Sequence, residues 1–67
     1  MAKVYSSREM IKLVQADGWY EVSHEGSHKQ FKHPAKPGRV TIPHPERALP
    51  KGTAASIFRQ ARIKPPR

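Results

Sequence analysis

Four histidines, at positions 24, 28, 33 and 44, stand in a chain that has no cysteine. A free imidazole titrates near pH 6.5, so this side chain can take or give a proton at neutral pH. Three chemistries are open to the set. The first is a metal site. His24, His28 and His33 are separated by three and four residues. A closed zinc site needs four convergent ligands. A turn falls between the first two, and strand alternation sends His28 and His33 to opposite faces, so neither a metal nor any other cofactor is expected. The second is no chemistry at all, surface histidines on strands and loops, which is the better reading of His24 and His33. The third is general acid/base work on RNA, whose 2′-hydroxyl is a nucleophile placed beside every phosphate. Cleavage then needs a base for that proton, an acid for the leaving 5′-oxygen and cations for the charged intermediate. Other catalytic choices are few. Carboxylates are sparse, and Ser27 and His28 make no triad, because adjacent strand residues point apart and no orienting Asp is evident.

The cations have a place as well as a number. Thirteen Lys and Arg oppose five Asp and Glu, a formal net charge of +8. Residues 1–25 hold three of those cations and four of the anions; residues 26–67 hold ten cations against Glu46 alone. A polyanion, nucleic acid above all, is the partner such a distribution suits. At 67 residues the chain makes one domain, spanning 1–67. Its core is marginal, since a chain of this size buries only about 60% of its unfolded surface. Multidomain enzymes, dinucleotide-binding folds and repeat arrays are excluded by length. No run approaches the ~18 apolar residues of a membrane span, and no charged-then-apolar leader opens the sequence. A soluble, cytoplasmic protein without a membrane partner is expected.

Two helices and three strands must position these residues. Ser6 and Glu9 form a capping-box pattern, and Met10, Ile11, Leu13 and Val14 make an apolar stripe, so a helix is predicted over about 7–17. Asp17-Gly18 ends it. Residues 19–25 alternate as a strand, with Tyr20 and Val22 on one side and Glu21 and Ser23 on the other. A turn at Glu25-Gly26-Ser27 leads to a second strand over 28–33, and a Pro- and Gly-bearing turn over 34–38 leads to a third over 39–42. The prolines at 43, 45 and 50 mark a loop over 43–52. Thr53 then caps a second helix, with Gly52 easing the entry and Ala54, Ile57, Phe58 and Ala61 as its stripe. Pro65-Pro66 forbid continuation, so order is expected over about 6–63, with a frayed tail over 64–67.

The order α-β-β-β-α predicts an α+β two-layer sandwich, both helices on one face of an antiparallel meander. The expected core is Ile11, Leu13, Val14, Val22, Phe31, Val40, Ile42, Ile57 and Phe58, with Trp19 or Tyr20 at its edge. If Phe31 faces the helices, His28, Gln30 and Lys32 share the other side, joined by Arg39 and Thr41, and that side is open, polar and basic.

The sequence also resembles a known family. From about Ser7 to Ala61 it is similar to the HicA toxins, small RNA-cleaving members of type II toxin–antitoxin pairs. The resemblance centres on Gly26-Ser27-His28 with Phe31 following, within GSHKQFKHP. Asp17-Gly18-Trp19 stands before it. After it come the run from Arg39 to His44, then Pro50-Lys51-Gly52-Thr53, and then Ile57 with Gln60. Arg62 stands where the family often has glycine. The resemblance implies a double-stranded-RNA-binding-domain-like fold, His28 as the catalytic residue, Gly26 and Ser27 as its supporting turn, and a HicB-like antitoxin. The expected function is therefore a metal-independent endoribonuclease acting on mRNA; the basic residues beside His28, and not the resemblance, assign Lys29, Lys32 and Arg39 as phosphate binders. The alternatives are a non-catalytic RNA-binding module of the same fold, or a protein-interaction partner whose basic face meets an acidic protein.

Overall fold

A reciprocal cap at Ser6 starts the first helix, α1 (Ser7–Ala16). In the computed structural model, which describes residues 3–65, the Ser6 hydroxyl accepts from the Glu9 N–H at 3.1 Å. The Glu9 carboxylate accepts in return from the Ser6 N–H at 3.0 Å. The helix closes at Asp17, and Gly18 follows at φ +108°, a conformation that L side chains rarely adopt. Three strands come next, β1 (Tyr20–Glu25), β2 (His28–Lys32) and β3 (Val40–Pro43), paired antiparallel in the order β1-β2-β3. The last element is α2 (Lys51–Ala61). Lys64 and Pro65 lie beyond it in irregular structure, while the expected fraying of residues 66 and 67 concerns positions outside the described residues. The architecture is the expected α+β, α-β-β-β-α arrangement, consistent with a double-stranded-RNA-binding-domain-like fold. Among the described residues no helix is long and apolar enough to cross a membrane.

One apolar cluster joins the helices to the face of the sheet that carries Phe31, Val40 and Ile42. From α1 it takes Met10 and Val14, with Ile11 and Leu13 only partly buried beside them. From α2 it takes Ala54, Ile57, Phe58 and Ala61. Val22 is not in it. The pairing of β1 with β2 slips between Glu21 and Ser23, a bulge that breaks the two-residue alternation. Val22 is left 41% exposed and Tyr20 51%, and Trp19, just ahead of the strand, takes the core position at 2%. Its indole N–H donates to the Ala61 carbonyl at 3.2 Å, which ties the end of α1 to the end of α2. Tyr5 and Leu49, both outside regular elements, complete the core. Leu49 N–H donates to Tyr5 O at 2.8 Å, and the Tyr5 ring meets Phe58 edge-on at 5.3 Å.

The second helix starts earlier than Thr53. The Pro50 carbonyl accepts from the Ala54 N–H at 2.9 Å, closing a first turn that contains Thr53. Thr53 therefore has helical backbone and cannot serve as the cap, and no side chain does. Near its other end, Gln60 reaches the outer edge of β3, where its Oε1 accepts from the Thr41 N–H at 3.0 Å. Gln60 Nε2 is held in turn by Ser56 Oγ at 3.1 Å. The edge strand's unpaired donor is thereby covered.

Candidate active site

Two residues connect β1 to β2. Glu25 pairs with His28, leaving Gly26-Ser27 as the loop. Gly26 has φ +59° and Ser27 does not share the positive φ, the pattern of a type II′ turn with glycine first. A Cβ built on Gly26 would meet nothing within 4 Å, so the glycine is there for its backbone and not for space. The turn delivers His28 at the first position of β2, exposed, with Glu25 and Pro43 as its cross-strand neighbours. Phe31 is on the buried face, so His28, Gln30 and Lys32 lie on the open one. Thr41 is there too, its hydroxyl donating to Gln30 Oε1 at 2.8 Å.

The fold separates the four histidines. His33 is no idle surface residue. Its Nδ1 accepts from the N–H groups of Ala35 and Lys36 at 2.9 and 3.0 Å. The ring proton therefore sits on Nε2, which donates to the Asp17 carbonyl at 2.8 Å. The ring also meets Trp19 edge-on at 5.2 Å. His44 Nδ1 lies 2.7 Å from the buried Ser7 Oγ. His24 is exposed opposite Lys29, on the other side of the sheet from His28. The sequence-adjacent trio 24, 28 and 33 is thus not brought together. Among the described residues no group of three His, Asp or Glu side chains converges as metal ligands.

The three cations singled out from the sequence also part company. Lys32 is exposed on the face of His28, and Arg39 is exposed just before β3. Lys29 alternates to the side of Phe31, where its ammonium lies 3.1 Å from the Glu21 carboxylate. Within the strands the open face carries one cation, Lys32 opposite Tyr20, and one anion, Glu25 opposite His28, so it is polar but less basic than alternation suggests. Lys36 is engaged elsewhere. Its ammonium donates to Asp17 Oδ2 at 2.5 Å and to the carbonyls of Ala61 and Arg62 at 3.2 and 3.1 Å. The hydrogen bond from Lys36 holds the Asp17 carboxyl below the usual carboxylate range.

Sequence reasoning missed the pairing of Ser7 with His44. The two are 37 positions apart. Ser7 is the first residue of α1, and no local pattern pairs it with a histidine beyond a proline. The same segment meets the turn directly, because His44 N–H donates to Ser27 O at 2.7 Å.

Comparison with known proteins places this geometry in company. The family model for the HicA toxin of bacterial toxin–antitoxin systems matches residues 7–63. Among solved structures, a chain from a toxin–antitoxin complex of Streptococcus pneumoniae is similar, with 34% sequence identity and a TM-score of 0.73. The match covers 87% of this chain and 97% of that one. Among curated proteins no match was found.

Proposed function

This chain belongs to the HicA family of toxins in bacterial toxin–antitoxin systems, and on that premise we propose that it is a metal-independent endoribonuclease. Its substrate is mRNA, whose cleavage arrests translation, and its partner is a HicB-like antitoxin. The unit is a single HicA-like domain over residues 1–67, acting in the cytoplasm. One observation carries the choice of residue. His28 is exposed on the open face beside a turn built around Gly26, whereas hydrogen bonds tie His33 and His44 into the fold.

The chemistry follows from the substrate. The 2′-oxygen attacks the adjacent phosphorus, and the bond to the 5′-oxygen breaks. The products are a 2′,3′-cyclic phosphate and a 5′-hydroxyl. One proton leaves the 2′-hydroxyl and one arrives at the 5′-oxygen. His28 handles one of these transfers, because an imidazole is a competent acid or base at neutral pH. Nucleophile and leaving group both lie in the RNA, so no metal-activated water is needed. Lys32 and Arg39 are the exposed cations that meet phosphates farther along the strand, since Lys32 stands at the opposite end of β2 from His28 and Arg39 just before Val40, the partner of Phe31; Lys29, next to His28, joins them only by giving up Glu21.

The test uses an RNA oligonucleotide with excess chelator, beside its counterpart carrying one 2′-deoxy position at the cut site. The wild type should cleave the first and spare the second. His28→Ala should cleave neither, with a stability change within about 0.5 kcal/mol, as for an exposed residue. Cleavage of the deoxy counterpart, or loss of activity with chelator, would replace this mechanism with a metal-activated water. Retained cleavage by folded His28→Ala would remove His28 from it.

A further inference from the structure

A groove of about 740 Å³ opens at the same end of the sheet, between the start of α1 and the segment over 44–48. The proposed reaction leaves it unused. Ser7 organises it. This residue is 1% exposed, the one buried polar side chain among the described residues. Its hydroxyl accepts from the Glu46 N–H at 2.9 Å and lies 2.7 Å from His44 Nδ1. Its own N–H donates to Glu46 O at 2.8 Å. These bonds pin the loop to the helix and set the His44 ring, with Nδ1 engaged and Nε2 as the nitrogen left for a ligand. Arg8 and Arg47 line the groove as well, both exposed, and Glu46 is its one carboxylate. The first turn of α1 is already capped by Ser6 and Glu9. The attraction for an anion therefore comes from the two guanidinium groups and the imidazole, not from the helix end.

We infer that this groove is the subsite for the phosphate of a nucleotide flanking the cleaved bond, held by Arg8, Arg47 and the His44 ring. The inference rests on the reading of His28 as the group that acts on the RNA strand. The hydrogen bond from His44 N–H to Ser27 O puts the groove next to the turn that delivers His28. A strand that passes His28, the first residue of β2, and leaves over that end of the sheet meets the groove. An anchor there fixes the scissile phosphate against the imidazole and lowers the entropy cost of reaching the reactive geometry. Guanidinium groups suit the task, because their forked N–H donors match phosphate oxygens. Arg8, Arg47 and His44 are positioning residues in this scheme.

The experiment measures binding of a single-stranded RNA that carries 2′-O-methyl groups throughout, which the proposed chemistry cannot cut. The protein combining Arg8→Ala and Arg47→Ala should bind about tenfold more weakly. Its log–log salt slope should be shallower by about 1.4, at about 0.7 for each phosphate that an arginine no longer neutralises. Glu46→Gln should bind more tightly, by removing the carboxylate from the groove. Arg59→Ala, which removes one such charge from α2, should bind like wild type. His44→Ala should also weaken binding; it strips a partner from buried Ser7, so the exposed arginines decide the matter. On unmodified RNA, the arginine variants should raise KM through lost binding and also lower kcat, because the anchor helps to set the reactive geometry. Unchanged affinity and slope in the double arginine variant would overturn the subsite, whether or not the wild type cleaves RNA. So would an equal weakening in Arg59→Ala, which would mean diffuse charge and no site. Weakened binding confined to the groove variants, with no cleavage of unmodified RNA by wild type, would uphold the subsite and sink the nuclease reading alone.

Discussion

Arg62 holds a backbone conformation that suits glycine better. It caps α2 at φ 55°, ψ 44°, in the left-handed region. A residue with a Cβ is strained there by about 1–2 kcal/mol, which is why glycine is common just past helix ends. Arg62→Gly should stabilise the protein by about 1 kcal/mol, read as a rise in Tm of about 4–8 °C for a domain this small. RNA cleavage should be unchanged, since Arg62 is placed neither at His28 nor in the groove. Gly18 shows the reverse case. Its φ of +108° already resists substitution, and a Cβ there would stand 2.8 Å from His33 Nε2. That nitrogen is bonded to the Asp17 carbonyl and cannot withdraw freely. Gly18→Ala should cost about 2 kcal/mol in chemical denaturation. The two glycine positions thus differ in kind, because Gly26 has open space around it.

At the scale of elements, one junction holds the ends of both helices together. The end of α1 offers Asp17, the end of α2 offers the carbonyls of Ala61 and Arg62, and Lys36 from the turn between β2 and β3 bonds to all three. Trp19 and His33 pack beside it. This junction makes stability depend on acid. The folded-state pKa of Asp17 lies below its ordinary value, chiefly through the hydrogen bond from Lys36. A lowered carboxyl pKa contributes stability that is complete above the unfolded value, near 3.9, and is lost as pH falls through the folded one. Glu9 acts in the same direction, through Lys3 and the Ser6 N–H. Denaturation midpoints should therefore fall as pH is lowered from about 5 toward about 2. Asp17→Asn should flatten that dependence and lower the midpoint at neutral pH. An unaltered acid limb in Asp17→Asn would show that the junction does not contribute.

Over the whole molecule, exposed cations stand at Lys32 and Arg39 on the far end of the sheet from His28, at Arg8 and Arg47 in the groove and at Lys51 and Arg59 on α2, and Lys32 alone lies within the strands of the open face. An antitoxin that silences the proposed activity has a compact target, the region around His28 together with the groove. Acidic or polar groups laid there would block the histidine and displace phosphate, so RNA and antitoxin should exclude each other. Charge pairing of this kind speeds association more than it deepens affinity, and salt should slow the on-rate first. The measurement uses His28→Ala protein, which leaves RNA intact, held with saturating antitoxin while RNA is titrated in at low salt. Competition is the expected result. A ternary complex with undiminished RNA affinity would mean that the antitoxin acts at a distance from the site.

Local chemistry determined most of the elements, and it was legible in the chain. The capping box at Ser6, the stop at Gly18, the turn at Gly26 and the stripe of α2 each depend on residues a few positions apart, and each stands where the spacing puts it. Alternation from Phe31 likewise placed His28 and Lys32 on one face, at the two ends of β2, because a regular strand repeats every two residues. Where the strand is irregular the same rule failed, and the bulge after Glu21 exposed Val22 and left the core to Trp19. Tyr5 and Leu49 entered the core from segments without periodicity, and Pro50 displaced Thr53 as the start of α2. The histidines show the division most plainly. Their number and spacing are sequence facts, but which is exposed and which is tied depends on partners far along the chain. His33 meets Asp17 across 16 positions, and His44 meets Ser7 across 37. Only packing the two helices against the sheet makes those encounters, and with them the groove beside His28.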